Sequence, residues 1–180
     1  MARKELRFAG FGGQGVVLAG VLLGTAASIY SGKYAIQTQS YGAAARGGAA
    51  RSDVIIDDDP IVYPQVIAPD IMVAFTLEAL NKYRDELREN ATLIIDRDLI
   101  DAPEGTSFDI HSIPATTLAQ DEFGRGIVAN MIMLGYLVGI SSVVTREAAE
   151  SAIMNGVPRG TEDLNLSVFS RGFEMALKKR

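Results

Sequence analysis

Cysteine is absent from all 180 residues. A chain without thiolates cannot ligate an iron–sulfur cluster or build a zinc finger, and it forms no disulfide. Any thiolate-held redox metal used with it belongs to another chain. Histidine occurs once, at His111. A lone imidazole with no partner visible in the sequence reads as a strand-face residue rather than a catalytic base. Excess positive charge is also missing. The net charge of −5 excludes a broad nucleic-acid surface. No apolar leader is expected at the start, because residues 2–15 carry charges and glycines. One apolar stretch, 127–144, approaches the length of a membrane span, but Asn130, Ser141 and Ser142 interrupt it and Gly135 and Gly139 thin it. It reads as a buried or subunit-facing helix, and the expected location is the cytoplasm.

What is present is apolar content of 48%, rich in Ala, Val, Ile and Leu, in a chain long enough for one full core. The most informative stretch is Gly10-Phe11-Gly12-Gly13-Gln14-Gly15. It lies between an apolar strand, residues 6–9, and a helix expected from about Gly15 to Gly32. Glycines at a strand-to-helix junction let backbone approach a ligand and leave the first helical amides facing outward. Those amides sit at the positive end of the helix dipole and suit phosphate or carboxylate. The spacing also satisfies the dinucleotide fingerprint, yet its other parts are missing. The second strand, 34–38, ends in Gln37, Thr38, Gln39 and Ser40, with no acid for ribose hydroxyls. No Gly-Lys-Ser/Thr follows the glycines either, which excludes a Walker loop. The remaining alternative is that the glycines only allow a tight turn.

Further strands are expected at 54–56, at 71–75 in the sheet centre, at 92–96, and at 108–113 on an edge closed by Pro114. Thr76 is expected to cap a helix whose Leu77, Leu80 and Leu87 face the sheet. Helices follow at 115–122, 126–140, 145–155 and 164–177. The alternation predicts a single α/β domain over 1–180, a mostly parallel sheet flanked by helices, with a Rossmann-like glycine-rich first βα turn. The acidic run Asp57-Asp58-Asp59 before Pro60 reads as a charged turn rather than a magnesium site. Asn130, on an apolar helix, needs a partner if buried and reads as structural or a subunit contact. Asn165 is a candidate cap for the last helix, and Met131 and Met133 are core filler or interface.

The second informative stretch runs from Gln37 to Asp53. Arg46, followed by Gly47 and Gly48, would present an unobstructed fork to a carboxylate or phosphate. Tyr41 and Gln39 would add hydrogen bonds or a stacking surface. A helix over Ala43, Ala44 and Ala45 with a solvated Arg46 is the alternative. Taken together, the run from Gly10 to Gly15 and the run Gln39-Ser40-Tyr41-Gly42 with Arg46-Gly47-Gly48 resemble the gamma subunits of 2-oxoacid:ferredoxin oxidoreductases, nearest to the 2-oxoglutarate branch. Ile113-Pro114-Ala115-Thr116, Asn130-Met131, Leu134-Gly135, Leu164-Asn165, Phe169 and Gly172 extend the resemblance from about Leu6 to Ala176.

The resemblance implies a subunit of an enzyme that decarboxylates a 2-oxoacid on thiamine diphosphate. Electrons pass through iron–sulfur clusters to ferredoxin, and an acyl-coenzyme A is released. It places thiamine diphosphate, magnesium and the clusters on alpha, beta and candidate ferredoxin-like delta subunits. This chain then holds no tightly bound cofactor of its own and has no catalytic or metal residue. Coenzyme A is the implied ligand. Gly12, Gly13, Gln14 and Gly15 would form its phosphate-facing loop, and Tyr41, Arg46, Gly47 and Gly48 the loop toward the active-site subunits. The isolated chain is expected to be inactive and to self-associate as a homodimer through its apolar partner surface. Alternatives are the pyruvate, branched-chain or indolepyruvate enzymes, or a free-standing nucleotide-binding module.

Overall fold

The apolar runs of the sequence assemble into one mixed sheet with most of its helices on one side. The computed structural model describes residues 3–41 and 49–179. The strands are β1 (Lys4–Phe11), β2 (Tyr34–Tyr41), β3 (Ala49–Asp57), β4 (Ile71–Ala74), β5 (Thr92–Asp96) and β6 (Asp109–Ile113). They lie in the order β2-β3-β1-β4-β5-β6. The pairs β1–β4, β4–β5 and β5–β6 are parallel. Strand β3 is antiparallel to both β1 and β2, so it alone is reversed among the described strands. The short connection from β2 to β3, residues 42–48, explains the reversal. A parallel crossover needs a dozen or more residues, whereas an antiparallel hairpin needs few.

This order settles why the dinucleotide fingerprint is incomplete. In a dinucleotide fold the second strand lies beside the first and supplies the ribose acid. Here β3 occupies that place, running the other way, and β2 is displaced to the edge.

Helices α1 (Val16–Ser28), α4 (Ala129–Ser141), α5 (Arg146–Gly156) and α6 (Glu162–Leu177) share the main core with Leu6, Phe8, Val54, Val73 and Ile94 of the sheet. Helix α3 (Ala115–Phe123) joins the same core through Ala115 and Ala119. The other face is covered by α2 (Leu77–Tyr83) and the 3-10 turn Arg84–Glu86, over Ala9, Met72, Ala74, Leu93 and Ile95. Thr76 caps α2 as expected, its hydroxyl accepting from the Ala79 amide at 3.2 Å. The expected sheet-facing stripe is corrected: Leu77 is 51% exposed, and Ala79, Leu80 and Tyr83 are the buried residues. The first turn of α2 follows the end of β4 before the helix turns back over the sheet. Leu87 lies after the 3-10 turn and is half-buried against the same cluster.

Helix α4 is buried along its whole apolar length, from Ala129 to Gly139. Met131 and Met133 are therefore core residues and not interface. Helix α6 lies hard against α4. A side chain at Gly135 would meet the Phe169 carbonyl and, at 2.9 Å, the Phe173 nitrogen. A side chain at Gly172 would meet the Ile132 carbonyl. Such backbone contact admits only hydrogen at those two positions. Among the described residues no helix is long and apolar enough to cross a membrane. Asn165 is not the cap of α6. It lies inside the helix and donates from Nδ2 to the carbonyl of the cap residue Thr161 at 2.8 Å.

Candidate site at the glycine turn

The parallel strands β1, β4 and β5 end on one side of the sheet, and the turn between β1 and α1 lies there. Two of its glycines have backbone that side chains resist: Gly13 has φ +94° and Gly15 φ +72°. The turn is held internally. The Phe11 amide donates to Gln14 Oε1 at 2.7 Å, and the Gln14 amide to the Phe11 carbonyl at 3.3 Å. The bond from the Ala19 amide to the Gly15 carbonyl, 2.9 Å, opens α1. The amides of Val16, Val17 and Leu18 thus have no carbonyl one turn back to accept them.

Those three residues line an open pocket of about 290 Å³ with Phe11, Gly12, Gly13, Gly15, Tyr41 and Ala50. No carboxylate lines it among the described residues. A side chain at Gly12 would meet nothing within 4 Å, so packing within the described residues does not demand glycine there. The structure therefore brings together Gly12, Gly13, Gly15 and Tyr41, which is 61% exposed. Gln14 departs from its expected place. Its amide oxygen is turned back onto Phe11, and the residue lines a second cavity behind the turn. Arg46, Gly47 and Gly48 lie outside the described residues, as does the Ala43 to Ala45 run. Arg51 is partly committed elsewhere, its Nε 3.3 Å from Asp53 Oδ2 and its guanidinium over the Tyr83 ring.

The second cavity, about 110 Å³, lies between the turn and the starts of α3 and α4. Asp96 and Asn130 are functional candidates that the sequence did not single out as site residues. Asp96, at the end of β5, is 2% exposed. Its Oδ1 accepts from the Asp98 and Ala115 amides at 3.1 and 3.2 Å. Its Oδ2 accepts from the Thr116 amide and hydroxyl at 2.9 and 2.6 Å. Burial raises its pKa, while the Thr116 hydroxyl bond opposes the rise. Asp96 thereby pins the start of α3. Asn130, in the first turn of α4, donates from Nδ2 to the Gly15 carbonyl at 3.4 Å. Its amide group also fills the space where a side chain at Gly15 would lie. The signals for Asn130 were a polar residue on an apolar helix and its place in the Asn130-Met131 match, and its partner is 115 positions away.

Away from the turn, Arg7 is 1% exposed and pairs with Asp53 across β1 and β3, Nε to Oδ1 at 2.7 Å and Nη2 to Oδ2 at 3.0 Å. It also bonds Glu86 and stacks on Tyr83. His111 does have partners. Its Nδ1 is 2.9 Å from the Tyr136 hydroxyl and its Nε2 is 3.0 Å from Asp109 Oδ2. It lines a cavity of about 400 Å³ at the opposite end of the sheet, far from the glycine turn. Burial, then the nearby Asp109 charge, raises the Tyr136 pKa. Asp57 and Asp59 form a local turn, the Asp59 amide donating to Asp57 Oδ1 at 3.3 Å. Among the described residues no group of three or more acidic, histidine or cysteine side chains is placed to hold a metal.

Residues 5–175 match the pyruvate ferredoxin/flavodoxin oxidoreductase family. The 2-oxoglutarate synthase subunit KorC of Methanothermobacter marburgensis is 50% identical over 98% of this chain and 98% of its own length. The crystal structure of a keto/oxoacid ferredoxin oxidoreductase gamma subunit from Geobacter sulfurreducens superposes with TM-score 0.86 and 43% identity, covering 97% of this chain and 99% of that one. At 20% identity, 2-oxoglutarate:ferredoxin oxidoreductase from Magnetococcus marinus, with 2-oxoglutarate, coenzyme A and succinyl-CoA bound, shares the fold alone. There the TM-score is 0.89 and the match covers 99% of this chain and 32% of the other. A family match that spans the glycine turn, the sheet and α6, joined to relatives that correspond end to end, establishes that the chain belongs to the pyruvate ferredoxin/flavodoxin oxidoreductase family.

Proposed function

We propose that the chain is the gamma subunit of a multi-subunit 2-oxoglutarate:ferredoxin oxidoreductase and that its glycine turn holds coenzyme A. The observation that carries the site is the open pocket at the start of α1. It combines outward-facing amides, no carboxylate lining among the described residues, and an exposed Tyr41. A diphosphate suits this arrangement, because the amides and the helix dipole favour concentrated negative charge. Correspondence over the full length with a 2-oxoglutarate synthase subunit supports the choice of oxoacid.

Zero cysteines leave the electron-carrying clusters to companion chains. Thiamine diphosphate, bound there with magnesium, supplies the carbanion chemistry of decarboxylation, and ferredoxin takes the electrons. The role of this subunit is positional. Gly12, Gly13, Gly15 and the first turn of α1 fix the anionic part of coenzyme A, so that the thiol end reaches the companion active site in one orientation. The complex works in the cytoplasm, and the gamma chain alone is inactive and self-associates.

Affinity purification of the full chain from native cells tests the assignment. Companion chains carrying cluster-binding cysteines, and coenzyme A-dependent reduction of ferredoxin with 2-oxoglutarate, are the expected results. A solitary chain, or a complex indifferent to 2-oxoglutarate, would overturn it.

A further inference from the structure

The cavity behind the glycine turn holds a buried carboxamide with one end unused. Asn130 is 5% exposed, and its one hydrogen bond among the described residues runs from Nδ2 to the Gly15 carbonyl. That bond fixes which end of the amide is which, and Oδ1 is left without a donor. No fully buried side-chain oxygen or nitrogen among the described residues lacks a partner, so Oδ1 reaches the cavity that Asn130 lines. Gln14 is arranged as its complement. Its Oε1 is consumed by the Phe11 amide, which leaves Nε2 as a donor on a residue lining the same cavity. Asp96 does not compete, since each of its oxygens already accepts two hydrogen bonds.

Among the described residues, the Asn130 and Gln14 side chains thus bring a free acceptor, Oδ1, and a free donor, Nε2, to the cavity. Its walls are mixed: Asp96 and Thr116 line it beside the apolar Phe75, Leu99 and Ile127, of which Phe75 is buried and Ile127 exposed. Its volume of about 110 Å³ is below the roughly 300 Å³ of pockets that enclose a whole small molecule. It fits one planar fragment. Gly13 lines both this cavity and the open pocket in front of the turn.

We propose that Asn130 and Gln14 form a second subsite that reads a planar N–H donor and acceptor edge of the ligand whose anionic part rests on the glycine turn. This deepens the coenzyme A reading and rests on it. Coenzyme A carries a planar donor and acceptor of this kind on one edge of its adenine and, on opposite sides of each trans amide, along its pantetheine arm. Asn130 and Gln14 are positioning residues here. A buried amide oxygen left unmatched costs the complex more than a solvated one, so the pair also discriminates against ligands lacking the N–H.

The test uses the assembled complex. Asn130→Leu removes the acceptor at nearly constant size, together with the bond to the Gly15 carbonyl, so Gln14→Glu, which leaves that bond in place, is its control. Gln14→Glu keeps the oxygen that receives the Phe11 amide and replaces the free donor by an acceptor. Each variant is expected to raise the KM for coenzyme A roughly tenfold, the weight of one buried hydrogen bond. The KM for 2-oxoglutarate should shift by less than twofold, a split that a general loss of structure would not give. Adenosine 3′,5′-bisphosphate and 4′-phosphopantetheine, used as competitive inhibitors, identify the edge. A tenfold weaker inhibition constant for the first alone supports the subsite and assigns it to the base, and for the second alone supports it and assigns it to the amide. If Asn130→Leu does not assemble, Gln14→Glu carries the test. Coenzyme A and both fragments binding the variants as they bind the parent would overturn the subsite. If Gly12→Ala in the turn still weakens coenzyme A, the phosphate cradle survives that result. If it does not, both readings fall.

Discussion

Gly12 and Gly15 stand three residues apart in one turn, and replacing each by alanine should have opposite consequences. At Gly12 a new methyl meets nothing within 4 Å, and the backbone is not among those with positive φ. Gly12→Ala should therefore leave the fold intact and even stabilise it by about 0.4–1 kcal/mol, because the unfolded chain loses freedom. For a chain of this size that is a Tm at or a few degrees above the parent. Gly12 also lines the pocket in front of α1, where an added methyl takes up space. That methyl would hold a phosphate away from the turn and remove one or two hydrogen bonds to a charged group, each about 1.5–3 kcal/mol. The KM for coenzyme A should rise at least tenfold, and a hundredfold if two bonds are lost. At Gly15 the backbone has φ +72° and a methyl would run into the Asn130 amide. The left-handed conformation costs about 1–2 kcal/mol and the crowding a further 1–3 kcal/mol. Gly15→Ala should thus lower the Tm of the purified chain by several degrees. Thermal unfolding of both variants, with coenzyme A kinetics on the assembled complex, separates the two effects. A Gly12→Ala chain as unstable as Gly15→Ala would refute the geometry of the turn. A stable one with the parent KM would refute the phosphate site.

Two further outcomes rest on the ion pairs. Arg7→Met strands the buried Asp53 carboxylate, which typically costs 3–5 kcal/mol, with the lower end expected here because Arg51 lies 3.3 Å away. Urea unfolding should show that loss, and the double substitution with Asp53→Asn should recover part of it; an unchanged midpoint for Arg7→Met would contradict the network. Glu122 accepts from Arg171 Nε and Nη2 at 2.8 and 2.9 Å, and that hydrogen bonding holds its pKa below the usual glutamate range. The pair is about a third exposed, so solvent screening limits its worth to less than about 1 kcal/mol. A lowered folded-state pKa contributes stability above the unfolded value and loses it as pH falls. The Tm gap between Glu122→Gln and the parent should be present at neutral pH and close below about pH 4.3; a gap independent of pH would contradict the assignment.

Much of this architecture was readable in the chain. The apolar runs at β4 and β5, the glycine junction before α1, the Thr76 cap and the edge placement of β6 all follow from local chemistry. The reversed β3 did not, because both strands flanking 42–48 extend beyond their apolar centres. Gln39, Ser40 and Tyr41, and then Ala49 to Asp53, look like loop until they pair. Once the strands reach that far, the connection is too short for a crossover. Local sequence also missed the contacts that complete the site. Arg7 is a charge inside a strand buried on both faces, and its partner Asp53 is 46 positions on. Asn130 reads as a structural polar residue until α4 brings it under Gly15. Leu77 shows the converse error, since helical spacing alone cannot tell where the underlying sheet ends.

We propose that the glycine turn of this subunit holds the anionic part of coenzyme A within the larger enzyme. Cryo-electron microscopy of the assembled complex saturated with coenzyme A tests it most directly. The diphosphate should lie within hydrogen-bond distance of the amides between Gly12 and Leu18, with Tyr41 at its side. Coenzyme A held wholly by other chains, with this turn facing solvent, would contradict it.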